Sequence, residues 1–131
     1  MFDTLTLSAI PEEDEALRLP VRAMIAEAIK GRPMDQRARS WQGFDADFSR
    51  ALGTAGYLGL NLPKRYGGGD KGPFARFVVV EELLSAGAPV AAHWIADRQT
   101  APLILRYGSA EAKANYLPGM CAGEIFACIG L

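Results

Sequence analysis

The chain has 131 residues, 50% of them hydrophobic, and 14 Lys and Arg against 15 Asp and Glu give it a net charge of −1. That length suits one domain burying ~65 to 70 per cent of the surface its unfolded form exposes, and the balanced charge, with no basic stripe, excludes a nucleic-acid partner. The two cysteines, Cys121 and Cys128, fit neither a C-x-x-C pair nor a disulfide framework, and the start MFDTLTLSAIPEEDE turns acidic before any apolar run, so a soluble, reduced, cytoplasmic chain with no membrane partner is expected.

Pro11 followed by Glu12, Glu13, Asp14 and Glu15 suits a helix start, because proline lacks an amide that would be unpaired there and acids favour the positive end of the helix dipole. The spacing predicts a helix over 11–30, with Leu17, Val21, Met24, Ile25, Ala28 and Ile29 on one stripe; Pro20 kinks it or delays its start. Residues 31–43 show no periodicity and read as a connecting loop. A second helix is predicted from Asp45 to Ala55, with Phe48, Leu52 and Ala55 on one side and Gly56 ending it in the left-handed conformation. YLGLNLP then reads as an extended apolar segment closed by Pro63.

Pro73 opens a third helix, PFARFVVVEELLSAG, whose apolar residues cover more than one stripe and predict near-complete burial. Pro89 starts a fourth, PVAAHWIADRQTAPLILRYG, broken near Pro102 and ended by Gly108; Ser109 caps a fifth, SAEAKANYL, which Pro118 stops. EIFACIGL has the β-branched and aromatic content of a strand. The fold class expected is all-α, an orthogonal bundle of about five helices with one C-terminal strand. The domain division expected is a tail over 1–10, a helical domain over 11–123 and a strand over 124–131.

Gly67, Gly69 and Gly72 fall at the spacing G-x-G-x-x-G, the signature of a dinucleotide-binding turn. That turn needs a buried strand before it, free amides at the helix start after it and an acid at the end of the next strand. Here Lys64, Arg65 and Tyr66 lead in, and Pro73, which has no amide proton, sits at the helix start. A turn between helices is therefore the favoured reading, and no Lys-Ser or Lys-Thr pair makes a Walker pattern.

Other candidates are sparse. His93 is the only histidine and has no nucleophile or metal-ligand set around it, so an ordinary helix residue is expected. Trp94 reads as core packing. Glu81 and Glu82 are adjacent on a helix, point ~100 degrees apart and cannot form a facing carboxylate pair. No catalytic and no metal-binding residues are assigned.

Several pieces taken in order carry a resemblance: the L-P-x-x-Y-G-G loop at Leu62–Gly68, the Glu81-Glu82-Leu83 helix, HWIADRQ at His93–Gln99, the Y-G-S-x-E-x-K run at Tyr107–Lys113, and Leu117-Pro118 followed by Gly123-Glu124. Over residues 12–131 the chain resembles the N-terminal helical domain of an acyl-CoA dehydrogenase. The resemblance implies a three-part enzyme of this domain, a middle β-domain and a C-terminal four-helix bundle. It also implies FAD as cofactor, an acyl-CoA substrate, electron-transfer flavoprotein as partner, and homo-oligomers. In such an enzyme, a participant in fatty-acid β-oxidation, a glutamate takes the α-proton of the thioester while a hydride passes from the β-carbon to the flavin. That glutamate has no counterpart in this sequence, and the family's S/T-E-P-x-x-G-S-D motif would follow Leu131, so the chain is expected to be a piece of the parent enzyme.

Carried over residue by residue, the resemblance makes Val90, Trp94 and Gln99 candidates for lining the acyl pocket. Ile129, Gly130 and Leu131 become candidates for backbone contact with the isoalloxazine ring, with FAD expected to bind this chain weakly on its own. The bulk of Trp94 would shorten the pocket or shape it for a ring. The alternative reading is a free-standing helical interaction module without chemistry. Residues 124–131, apolar and with an unpaired edge, are expected to promote self-association.

Overall fold

In the computed structural model, which describes residues 8–130, the chain is all-α, and no strand is present among the described residues. The helices are α1 (Glu12–Glu15), α2 (Arg18–Ala28), α3 (Met34–Ala38), α4 (Ala46–Thr54), α5 (Pro73–Ser85), α6 (Ala91–Ile95), α7 (Ala101–Tyr107) and α8 (Ala110–Cys121). Single 3-10 turns stand at Ser40–Gln42 and Lys64–Tyr66, and a π-helical turn at Ala96–Thr100 joins α6 to α7.

The predicted first helix is two. α1 ends at Glu15, and α2 begins at Arg18, which puts Pro20 in its first turn, where a missing amide costs nothing. Pro20 therefore delays the start and does not kink an existing rod. The expected stripe survives on α2: Val21, Ile25 and Ile29 are buried.

An ion cluster fastens α1 and α2 to α5. Arg18 reaches Glu15, Glu81 and Glu82, each at 2.7 Å, and Arg22 donates to Glu82 at 2.8 Å. Glu82 is buried, and its carboxyl is held down to about 2, first by the hydrogen bond from Arg22 and then, against burial, by Arg18. Glu81 and Glu82 do not face one another as a pair; a shared guanidinium spans them.

Residues 31–43 are not a structureless loop. α3 and a 3-10 turn occupy them, although no residue of either is buried, and this is why apolar periodicity gave no signal. Tertiary hydrogen bonds hold the segment instead: Arg37 donates to the Ala86 carbonyl at 3.0 and 2.8 Å.

α4 has the cap that its sequence announces, with the Asp45 carboxylate accepting from the Phe48 amide at 2.9 Å. Phe48 and Leu52 are buried, Gly56 has φ +76°, and Ala55, expected on the buried side, lies exposed in the cap. The YLGLNLP segment is folded into turns rather than extended, closed by the Leu62 amide donating to Gly59 O at 2.8 Å.

α5 buries Ala75, Val78, Val79, Glu82 and Leu83, but Phe77 and Leu84 are 51% and 39% exposed, so the burial expected of the whole helix holds for one face only. Pro102 does not break the fourth rod. The π turn immediately before it widens the helix where the proline ring and missing amide would disrupt an α turn, and the chain continues as α7.

Ser109 caps α8 by accepting from Ala112 N at 3.1 Å. Pro118 lies inside α8 and does not stop it. Its ring faces solvent near exposed Ala114, whose carbonyl water can satisfy, while buried Leu117, Met120 and Cys121 hold the helix on both sides of it.

The tail 124–130 is not a strand. A strand needs a partner for its amides and carbonyls, and none of the described residues offers an edge.

Two apolar cores result. One gathers α2, α4, α5 and the start of α6 around Val21, Ile25, Leu52, Val79, Leu83 and Val90; the other gathers Leu62, Ala96, Ala101, Leu117, Met120 and Cys121. α4 and the end of α8 touch closely: a Cβ on Gly53 would lie 2.2 Å from Ala122 O, and one on Gly123 2.2 Å from Ser49 O.

Candidate functional site

The glycine loop is packed connector. The amides of Gly67, Gly68, Gly69, Asp70 and Lys71 donate to the carbonyls of Lys64, Pro63, Gly59, Leu62 and Leu60, at 2.9, 3.2, 3.0, 2.9 and 2.8 Å. A phosphate cradle needs such amides free and pointing outward. A Cβ on Gly68 would meet Leu62 O at 2.2 Å, so glycine is required here by the chain's own close approach and not by a ligand.

A more open feature runs along α6. The Ser40–Gln42 turn docks on the start of this helix: Ser40 Oγ donates to Ala88 O, Val90 N to Ser40 O at 3.2 Å and Ala91 N to Gly43 O at 3.1 Å. This brings the Trp41 ring to 4.1 Å from that of Trp94, tilted by 57°. Phe74, Phe77, Val80 and Leu84 of α5 form the opposite wall of a groove of about 500 Å³. Trp94 is 7% exposed and forms the floor, whereas Trp41 is 55% exposed and forms the rim.

Two arginines line the groove. The Arg98 guanidinium lies 5.1 Å from the centre of the Trp94 ring, and Arg76 also lines the groove. Neither arginine forms an ion pair among the described residues. The groove suits an apolar, ring-sized body.

The same rod carries two titratable groups, one buried and one half-buried. His93 is 4% exposed, neither ring nitrogen has a hydrogen-bond partner, and burial pushes its pKa down to about 4, so it is neutral at pH 7. Asp97, half-buried, accepts from Gly59 N at 2.7 Å, and burial raises its pKa. Burial, and then the Asp97 charge, push the Cys121 thiol up to about 11, which leaves it a poor nucleophile. The described residues hold no group of three metal-ligating side chains. The site can bind and shape a ligand; it assembles no acid, base or nucleophile of its own.

The expected site residues are not all brought together. Trp94 forms the groove floor, and its core packing and groove-lining roles are both realised. Val90 is fully buried in the core beneath. Gln99 is exposed and lines a separate depression of about 450 Å³ with Arg98, Pro102, Leu103 and Tyr107. Ile129 is 53% exposed and lines a third depression, of about 550 Å³, with Phe44, Ala91, Ile95 and Phe126, the two phenylalanine rings meeting edge-on at 5.3 Å. Gly130 is exposed beside it, and Leu131 lies outside the described residues.

Beyond Ile125 no backbone amide or carbonyl of the tail is hydrogen-bonded among the described residues. Sequence reasoning passed over Trp41, Arg98 and Asp97. The first sat in a stretch read as loop, and the His93-x-x-x-Asp97 spacing was the one available signal for the third.

No helix among the described residues is long and apolar enough to cross a membrane. Residues 11–124 match the family described as acyl-CoA dehydrogenase, N-terminal domain. Acyl-CoA dehydrogenase FadE12 of Mycobacterium tuberculosis is 31% identical over 125 residues, covering 95% of this chain and 31% of that protein. Among solved structures, the Tcur3481-Tcur3483 steroid ACAD superposes with a TM-score of 0.72 at 29% identity, over 93% of this chain and 32% of that one. The ChsE4-ChsE5 complex from Mycobacterium tuberculosis also gives 0.72 at 29% identity, over 92% and 30%. The chain thus spans about a third of the length of the relatives it matches. With the match covering all but the ends, and an all-α fold shared with these enzymes, the chain belongs to the acyl-CoA dehydrogenase family, whose N-terminal domain it represents.

Proposed function

We propose that the chain forms the helical wall of an FAD-dependent acyl-CoA dehydrogenase in the cytoplasm, sheltering an acyl group along α6 and offering its tail backbone to the flavin. The observation that carries this reading is the adjacency of two surfaces on one helix. The aromatic groove lies on the Trp94 side of α6, and the depression bordered by Phe126–Ile129 lies on its Ala91 and Ile95 side.

The residues present fit one part of the cofactor. Unpaired backbone groups at 126–130 beside an apolar depression suit the polar edge of a flat ring, with Ile129 and Gly130 holding it. The flavin, when bound, supplies hydride acceptance from the β-carbon of the thioester. This chain's own share is to exclude water from the acyl group, orient it against the ring and limit its shape. From Gly67 to Lys71 the glycine loop leaves no amide free for the cofactor's phosphates, so weak FAD binding by the chain alone is the expected outcome.

The groove, floored by one indole and rimmed by another, favours an acyl group bearing a ring or branches over a straight chain. Likeness to a steroid ACAD supports the same substrate class. Likeness to the ChsE4-ChsE5 complex supports function within an oligomer, and electron-transfer flavoprotein is the electron acceptor that family membership suggests.

Tryptophan emission reads the groove directly. Ring-bearing acyl-CoA thioesters should shift the signal at lower concentration than linear ones, and Trp94→Ala should remove the preference. Equal responses to both classes would overturn the assignment. Tight stoichiometric FAD binding would show that this chain holds more of the cofactor site than its tail.

A further inference from the structure

Beneath the aromatic groove lies a narrow, largely enclosed void with about 10 Å³ of space open to the centre of a water molecule. Its walls come from the Tyr57–Leu58 turn, from Val79 and Leu83 of α5, and from His93 and Asp97 on the α6 rod. His93 is 4% exposed and both of its ring nitrogens are unpartnered. A neutral imidazole carries one donor and one acceptor, and a buried polar group with neither satisfied is rare in a folded protein. Asp97 uses Oδ1 to accept from Gly59 N, and its other oxygen has no hydrogen-bond partner among the described residues.

We propose that a single buried water occupies this void, bonded to His93 and to the free oxygen of Asp97, and that His93 acts through it as a positioning residue for the groove floor. The space is that of one water, which needs roughly 10–15 Å³ and two to four polar partners. Larger ligands are excluded by volume. A cation is disfavoured by Arg76, which lines the same void. The water would link α6 through Asp97 to the Gly59 turn, and so brace Trp94, which the void and the groove share as a wall. This inference does not rest on the acyl or flavin assignment.

The chain as it stands allows the test. Water-to-amide NMR cross-peaks should mark a long-lived water near Leu58, His93 and Asp97, and a crystal structure should show a density peak in the void. His93→Gln, which keeps a donor and an acceptor, should retain the cross-peaks and the Trp94 emission maximum. His93→Leu, with an unchanged helical circular dichroism, should lose the cross-peaks and shift the emission. A dry void in the unsubstituted chain overturns the proposal whatever the variants do, and so do cross-peaks that survive His93→Leu.

Discussion

The glycine loop and the tail are the chain's two long irregular stretches, and they differ in where their backbone points. From Gly67 to Lys71 every amide is turned inward onto a carbonyl of the preceding segment, whereas past Ile125 the tail's amides have no partner among the described residues. The loop has the letters of a ligand-binding motif but spends its amides from Gly67 to Lys71 on its own chain; the tail has no motif and carries free polar groups. What qualifies a backbone for a ligand is unspent hydrogen-bonding capacity, a property that glycine spacing does not report.

The largest expected effect separates the two by substitution. Gly68→Ala forces a Cβ to within 2.2 Å of Leu62 O, where backbone must move, and should cost about 4 kcal/mol or more in urea unfolding. Gly130→Ala meets nothing within 4 Å and should stay within about 0.5 kcal/mol of the parent. Equal costs would erase the distinction.

Acid should act first at His93, the buried imidazole of the α6 rod. The pKa of His93 is lower folded, about 4, than its ordinary 6.5, so the unfolded chain binds more protons between those values. Stability is full above about pH 6.5 and falls as pH drops towards about 4, by up to roughly 3 kcal/mol. Unfolding curves of His93→Leu should lack this step. A second loss follows as pH falls from 4.5 to about 2, where Glu82 gains a proton and the clamp from Arg22 and Arg18 weakens.

Hydrogen exchange sharpens the contrast amide by amide. Those of Gly69 and Asp70 should exchange at least about a hundredfold more slowly than those of Ala127 and Cys128. The smallest expected effect is self-association through the tail, visible in sedimentation at high concentration as weight-average mass rising above that of one chain. Replacing exposed Ile129 with Lys should return it to monomer. A clean monomer of the unsubstituted chain would mean that free tail amides do not suffice to recruit a second copy.

Much of the fold was legible where a local signal acts alone. Asp45 and Ser109 cap their helices, Pro73 starts α5, and the stripe through Val21, Ile25 and Ile29 buries as its spacing predicts. Misreadings arose where tertiary contacts override local preference. α3 buries nothing and is held by Arg37 reaching Ala86 O; Pro118 is carried through α8 by the packed residues around it; the tail has strand-like composition and no strand to pair with. The site was legible only at Trp94. Trp41 meets it across 53 residues of chain through a turn that has no periodic pattern, and nothing local to either residue encodes that meeting.

The π turn at Ala96–Thr100 inserts one residue into a rod that would otherwise keep α-helical phase. Each residue of a helix is worth roughly 100 degrees of rotation, so this insertion acts as a phase shifter. It sets Ala101, which is fully buried, against the second core while His93 and Trp94 upstream stay registered to the first. Deleting any one residue from this stretch would leave the composition nearly intact yet swing the downstream half of the rod by a quarter-turn or more, uncoupling the two cores that share it.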